Sequence, residues 1–216
     1  MKALKNILVG FLVSFVGSIP LGYLNIVGFE IYSKFGMNSL FFFLLGIISV
    51  EVFVIYFTLI FANSLVNNKK LMKAIEIFAI FFLLILAYSF YSHSNQSAKN
   101  HDYLEKYVMY SPFLIGIFLN LLNFLQVPFW TGWNLYLINS NYISVERKLK
   151  YFYIVGTLIG TFLGMIALIL SLHSISKSIG SFTEYVMPVI IPLFFVVLAV
   201  FQMYKVYEKY FSSKKD

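Results

Sequence analysis

The 216-residue chain has no cysteine and few charged residues. Without a thiol it can form no disulfide and offers no thiolate as nucleophile or metal ligand. Charged residues make up 12% of the chain, about half of the roughly 25% found in soluble domains. Apolar residues make up 60%, and the mean hydropathy is +0.83. These values exclude an ordinary soluble domain and predict a polytopic membrane protein.

Six apolar segments are long enough to cross a bilayer, whose hydrocarbon core of about 30 Å needs roughly 20 helical residues. They are residues 7–29, 39–63, 72–91, 111–138, 151–172 and 185–204. We therefore predict an all-α membrane protein with a single transmembrane domain, residues 1–216. Repeat 1 (about 7–91) and repeat 2 (about 111–204) are separated by a polar loop, residues 92–110.

Most of the 16 lysine and arginine residues fall before the first segment, after the sixth, and in the links between segments two and three and between four and five. With six spans these regions share one face, and the positive-inside rule places that face, with both termini, in the cytoplasm. We expect the cytoplasmic (inner) membrane and a lipid bilayer partner. The net charge of +7 is interpreted as a topology signal, so no nucleic-acid partner is expected.

The first segment is interrupted by Gly17, Pro20 and Gly22 at the depth where a spanning helix should be most regular. Proline lacks an amide hydrogen and its ring crowds the preceding turn. Backbone groups freed in hydrocarbon need a neighbouring helix, a cavity or a ligand. We predict a substrate-binding break here, with Asn25 lining the same cavity; the alternative is a packing kink.

Glu51 lies near the midpoint of the second segment. An ionised carboxylate at the bilayer centre costs about 3 kcal/mol on insertion scales. Its presence indicates a partner, a hydrated cavity or a neutral carboxyl group. We predict that Glu51 couples transport to protons; the alternative is a protonated group that hydrogen bonds between helices.

The fourth segment carries Asn120, Asn123 and Gln126, which would lie three apart on one face of a helix. It is also too long for a straight span, so a tilted or broken helix is predicted. Neutral amides suit a zwitterionic small molecule better than a metal cation. Polar contact between helices is the alternative interpretation.

Small residues on the second and fifth segments predict close helix packing. They are Gly46 and Ser49, then Gly156, Gly160 and Gly164. Residues 46–53 and 156–163 align, which places Glu51 opposite Thr161. Since each unit has an odd number of spans, the two repeats would be inverted, with helices one and four interrupted and a substrate site between them.

No nucleophile–base pair, phosphate-binding loop or metal motif is apparent, so neither an enzyme, a metal site nor a cofactor is expected. The histidines have no ligand spacing. Trp130 and Trp133 are interpreted as interfacial anchors, with closure of a cavity as the alternative. The oligomeric state is left open, a homo-oligomer included.

At these residues the sequence resembles the LysE/RhtB-type amino-acid exporters, whose first helix opens with a Gly-x-x-x-Pro-Gly-Pro-like break. A Gly-x-x-x-Gly-Asp-like second helix and a Leu-Asn-Pro-like motif in the fourth follow. The matching residues are Gly17, Pro20, Gly22, Gly46, Glu51, Leu122 and Asn123. Leu21, Val50 and Phe124 depart from the pattern.

The resemblance implies a compact bundle that exports amino acids or related small zwitterionic metabolites, driven by the proton-motive force. The second interpretation is a membrane scaffold or assembly factor without transport activity, in which the intramembrane polar groups only hold helices together.

Overall fold

The computed structural model describes residues 2–18, 22–96, 111–146, 148–178, 189 and 191–212. Within that part of the chain the regular elements are all helices, as predicted. They are α1 (Lys2–Gly17), α2 (Tyr23–Asn67), α3 (Lys69–Gln96), α4 (Pro112–Leu121), α5 (Gln126–Asn139), α6 (Leu149–Ser178) and α7 (Ile191–Tyr210).

The predicted first break lies between α1 and α2. Helix α1 ends at Gly17, and the amide and hydroxyl of Ser18 both bond to the carbonyl of Ser14. Gly22 is non-helical, and α2 begins one residue later. Pro20 lies outside the described residues.

Helix α2 turns back on itself at Gly36, whose φ of 77° lies in the left-handed region that glycine adopts without strain. A Cβ added at Gly28 would lie 3.3 Å from the Phe43 ring, whereas a straight helix would hold the two residues about 22 Å apart. Residues 23–35 and 37–67 are therefore two arms of a hairpin. The link between the first two predicted segments, 7–29 and 39–63, is thus reduced to one residue, since only Gly36 leaves the helical conformation.

The fourth segment is broken, as predicted, because α4 and α5 meet at an angle of 72°. Residues 122–125 form the turn between them. The prediction that Asn120, Asn123 and Gln126 share one helical face is wrong, since α4 ends at Leu121.

Two described helices, Tyr23–Ala62 and Leu149–Ser176, are long and apolar enough to cross a membrane, and the bent α4–α5 pair would be a third span. Six separate spans are not recovered by this length and composition test. The turn at Gly36 divides the first of these helices, which as one rod would measure about 60 Å. Of the sixth segment, residues 185–188 and 190 lie outside the described residues, and α7 (Ile191–Tyr210) continues beyond its predicted end at residue 204.

The helices pack in three main pairs: α1 on α6, α2 on α4, and α3 on α7, with α2 also contacting α5 and α6. The interior is apolar around Phe43, Ile169 and Phe195 and around Ile55 and Tyr153. Large apolar side chains cover the outside, such as Leu12, Phe53 and Phe81, which are 58%, 63% and 61% exposed. An apolar exterior around a polar-containing interior is suited to lipid.

Candidate functional site

Glu51 lies where four helices meet. Its side chain is 7% exposed, and its Oε1 accepts a hydrogen bond from Thr161 Oγ1 of α6 at 3.0 Å. The same Thr161 hydroxyl pairs with Ser14 Oγ of α1. The indole of Trp130, on α5, lies beside the carboxyl group. The carboxyl group therefore joins both halves of the chain.

The second carboxyl oxygen of Glu51, Oε2, is buried on the side of the Trp130 indole and makes no hydrogen bond of normal geometry among the described residues. The ion pairs of that part of the chain, Lys34–Glu30 and Lys209–Glu76, lie elsewhere. A buried carboxylate without a cation is strongly destabilising. The site is therefore suited to a carboxyl group that takes up a proton or pairs with a cationic ligand.

The first break is capped by the protein itself. Asn25 Nδ2 donates to the carbonyl of Ser18 at 3.0 Å. Gly17 packs against the Phe129 ring, which would lie 3.0 Å from a Cβ added at that position. The carbonyl of Gly22 accepts the amides of Asn25 and Ile26. The carbonyl end of α1 is thus covered by α5 and by the start of α2.

The second break has similar caps. Gln126 Nε2 donates to the Asn120 carbonyl at 3.0 Å, and the Tyr23 hydroxyl donates to the Leu119 carbonyl at 2.6 Å. The Asn120 side chain, in contrast, points at α2 and donates to the Ile47 carbonyl at 2.7 Å. Asn123 is half-buried in the turn. Of the three predicted amides, only Gln126 has its side chain bound at the broken end.

The packing glycines bring backbones together. A Cβ added at Gly156, Gly160 or Gly164 would overlap or crowd the carbonyl oxygens of α1, at Ile7, Phe11 and Phe15 respectively. Since both sets ascend along the chain, α1 and α6 run parallel. Gly46 and Gly116 likewise bring the backbones of α2 and α4 into contact. Ser49 lies outside that contact and bonds to the Leu45 carbonyl of its own helix.

A second polar cluster was not predicted from the sequence. The Tyr153 hydroxyl donates to Asn134 Oδ1 at 2.8 Å, and Asn134 Nδ2 donates to Thr58 Oγ1 at 3.1 Å. The cluster ties α2, α5 and α6 together. The four-residue spacing of Tyr153, Thr157 and Thr161 on α6 was the available signal, because it places them on one face. The interpretation of Trp130 as an interfacial anchor is wrong: it is 3% exposed, beside Glu51.

Two cavities lie near these groups, and Glu51 lines neither of them. A cleft of about 640 Å³ lies between α2 and the α4–α5 break, lined by neighbours such as Val50, Val54 and Leu121. A second cavity of about 480 Å³ lies on α5 beside Phe129 and Trp133. Among the described residues, no three His, Asp or Glu side chains are grouped as a metal site would require. The carboxyl group is thus closed off beside an apolar cleft.

Comparison with known proteins agrees with the resemblance noted in the sequence. No curated protein and no solved structure matches the chain. A model of the LysE type translocator family, however, matches residues 15–206, which include both breaks, Glu51 and the cleft. The protein is therefore a transmembrane transport protein that belongs to the LysE type translocator family.

Proposed function

We propose that the protein is a secondary transporter that exports amino acids or related small zwitterionic metabolites in exchange for protons. The observation that carries this proposal is the buried Glu51 carboxyl group, shared by α1, α2 and α6, with one oxygen left without a partner among the described residues. Intramembrane carboxyl groups of this kind commonly serve proton relays in transporters.

An inverted repeat is supported by the way matching positions meet. The alignment of residues 46–53 with 156–163 pairs Glu51 with Thr161, and these two side chains are hydrogen bonded to each other. Residues exchanged by a two-fold axis touch each other only where they lie at that axis. Glu51 would then lie at the interface of the repeats, where such transporters hold substrate and coupling ion.

Contacts away from the axis also occur in pairs that a two-fold exchange of the repeats would relate. Gly10 of α1 lies against the Tyr153 carbonyl, and Gly116 of α4 lies against the Phe43 carbonyl. The alignment makes Phe43 the counterpart of Tyr153. The pairing of α1 with α6 therefore corresponds to that of α4 with α2, as exchange of the two repeats requires.

We further propose six spans in one domain of residues 1–216. Helix α1 and the first arm of α2 would form the broken first span, and the second arm of α2 the second span. The bent α4–α5 pair would be the broken fourth span and α6 the fifth. Helices α3 and α7 would complete the two repeats. The distribution of lysines favours cytoplasmic termini in the inner membrane. A small molecule is the proposed partner, with no cofactor.

The substrate site would be formed by the two breaks, at Gly17, Pro20, Gly22 and Asn25 and at Asn120, Asn123 and Gln126. Carbonyl ends of half-helices attract a cationic group. In this conformation Asn25, Gln126 and the Tyr23 hydroxyl donate to those carbonyls. Substrate binding would replace some of these donors by the substrate's ammonium group.

Coupling then follows from exposure of Glu51 to each side in turn. The carboxyl group takes up a proton from outside, and it releases that proton when the site opens to the cytoplasm. The substrate travels the other way in the same cycle. Because an unpaired carboxylate is costly to bury, Glu51 passes the closed conformation either protonated, on the way in, or paired with the ammonium group of the substrate, on the way out.

The test is transport by purified protein in proteoliposomes, with a pH gradient and a panel of radiolabelled amino acids. Glu51→Gln should lose the response to the gradient but keep exchange at equal pH, because the amide oxygen still accepts the bond from Thr161. Glu76→Gln is the matched control: it is also a buried glutamate, but it is bound to Lys209 at 2.7 Å. An unchanged pH response in Glu51→Gln would remove Glu51 from the mechanism.

One observation favours the scaffold alternative: Asn25, Asn120 and Gln126 all donate to carbonyls of the protein itself. In that case the polar groups hold helices together and nothing is carried. Substitution of Gln126 would then lower stability while cells with and without the protein retain the same internal metabolites.

A further inference from the structure

The cleft between α2 and the α4–α5 break has an apolar lining. Its volume is about 640 Å³, and its walls include Val50, Val54, Phe57, Ile117, Leu121 and Val127. Ser49 and Thr58 also line the cleft, but their hydroxyl groups are engaged elsewhere. Both already donate to carbonyls of their own helix, at Leu45 and Val54.

The cleft adjoins the proposed substrate site at the second break. Leu121 ends α4 and Val127 follows Gln126, so these two lining residues bracket that break. On α2, Val50 lines the cleft, whereas the next residue, Glu51, points away from it to Thr161. A molecule with its ammonium group at the carbonyls of the second break would therefore place its side chain in the cleft.

We propose that this cleft binds the side chain of the transported amino acid and selects substrates with large apolar side chains, branched or aromatic. The proposal rests on the function proposed above. Small-molecule pockets of roughly 300–1,000 Å³ are mostly apolar, with a few polar groups that orient the ligand. A dry apolar cavity of about 150 Å³ already holds benzene, so the cleft has room for an aromatic ring.

The lining also predicts the direction of selectivity. A polar side chain would lose its bonds to water and find the hydroxyls of Ser49 and Thr58 already donating elsewhere. A difference of one methylene group in an apolar pocket typically changes specificity by about tenfold or more. Leucine and phenylalanine should therefore be preferred to alanine and serine.

The cleft opens towards the outer surface, where Phe53 and Leu121 are 63% and 56% exposed. A lipid acyl chain is consequently the competing occupant. The two occupants are distinguished by a variant that fills the cleft. If the cleft binds the substrate side chain, filling it changes which amino acids are transported; if it binds a lipid chain, the preference among amino acids stays the same.

The experiment compares leucine, phenylalanine, serine and alanine in proteoliposome exchange with Val54→Phe, which fills the cleft from α2. Transport of leucine and phenylalanine should fall at least about tenfold relative to alanine. Val127→Phe, from the opposite wall, should act likewise if Val54→Phe does not fold. Leu163→Phe, exposed on α6 outside the cleft, is the control and should leave the ratio unchanged.

Equal transport of leucine and alanine by the wild-type protein would overturn the proposal, as would an equal loss of both in the filled variants. Either result would leave amino-acid transport itself intact. Absence of any amino-acid exchange in the wild-type protein would instead refute the proposed function, and the subsite with it.

Discussion

The α1–α6 and α2–α4 interfaces correspond to each other under the proposed repeat, yet one is closed along its length and the other opens into a cleft. Along α6, Gly156, Gly160 and Gly164 hold the α1 backbone in contact for two turns. Along α2, the glycines in contact with the α4 backbone lie at one crossing, at Gly46 and Gly116, and the cleft lies beside it.

The difference has a cause in the sequence. In the alignment that pairs Gly46 with Gly156, Val50 stands opposite Gly160 and Val54 opposite Gly164. Each valine adds a branched side chain where a glycine would allow two backbones to meet. Matching helix pairs can thus be held apart or together by two side chains.

Gly160→Val makes the closed interface resemble the open one, and we expect the largest effect here. Its Cβ would overlap the Phe11 carbonyl oxygen, and the parallel backbones cannot yield without separating. Overpacking typically lowers the free energy of unfolding by about 1–3 kcal/mol. Because the overlap here is with backbone atoms, we expect a loss of about 3 kcal/mol or more. Thermal unfolding of the purified protein would measure the loss.

Gly132→Val is the matched control, since no atom lies within 4 Å of a Cβ at this exposed helical glycine. It should unfold close to the wild-type temperature. If both variants unfold alike, helix propensity rather than backbone contact explains the loss at Gly160.

Thr161→Val tests the polar part of the closed interface and should have the second largest effect. The variant keeps the shape but leaves Ser14 Oγ and Glu51 Oε1 without their shared partner. An unsatisfied buried group costs about 1 kcal/mol at the low end of the usual range, so the two groups together predict a loss of at least about 2 kcal/mol in unfolding experiments. Thr131→Val is the control: its buried hydroxyl has no partner among the described residues, and its loss should be neutral or stabilising.

Parts of this asymmetry could be predicted from sequence and parts could not. The breaks near Gly17 and Asn123 were predicted because proline, glycine and a cluster of amides interrupt a spanning helix, and the glycine stripe of α6 because small residues four apart let two helices approach closely. The chain reversal between the first two segments was predicted too, but not that a single residue, Gly36, would make it at a positive φ. The inward position of Trp130 was also missed, because an indole can satisfy its N–H at an interface or in the interior.

Tyr153→Phe removes a difference between the repeats, because its counterpart in the alignment is Phe43. Asn134 Oδ1 would lose its donor, while the ring would keep its packing. We expect about 1 kcal/mol of destabilisation, the typical net contribution of one hydrogen bond. Tyr151→Phe, on the exposed face of α6, should cause no measurable change in unfolding. A loss equal to that of Thr161→Val would mean that the Asn134 cluster stabilises the bundle as strongly as the Glu51 cluster does.

The α3–α7 pair supplies the smallest expected effect, since it ends in an ion pair rather than in backbone contact. Lys209 Nζ lies 2.7 Å from Glu76 Oε1, and the lysine side chain is 53% exposed. Partial burial lowers the pKa of Lys209, but its hydrogen bond to Glu76 outweighs this and the pKa lies above its ordinary value. The stabilisation by this ion pair is therefore complete below the unfolded pKa of about 10.4 and is lost as the pH rises through the folded pKa.

Lys209→Met should lower the free energy of unfolding by only about 0.5 kcal/mol, because solvent screens the pair. The difference in unfolding temperature from wild type should shrink between about pH 8 and pH 11. An equal difference at both pH values would mean that the lysine stem stabilises this end of the bundle by packing, independently of its charge.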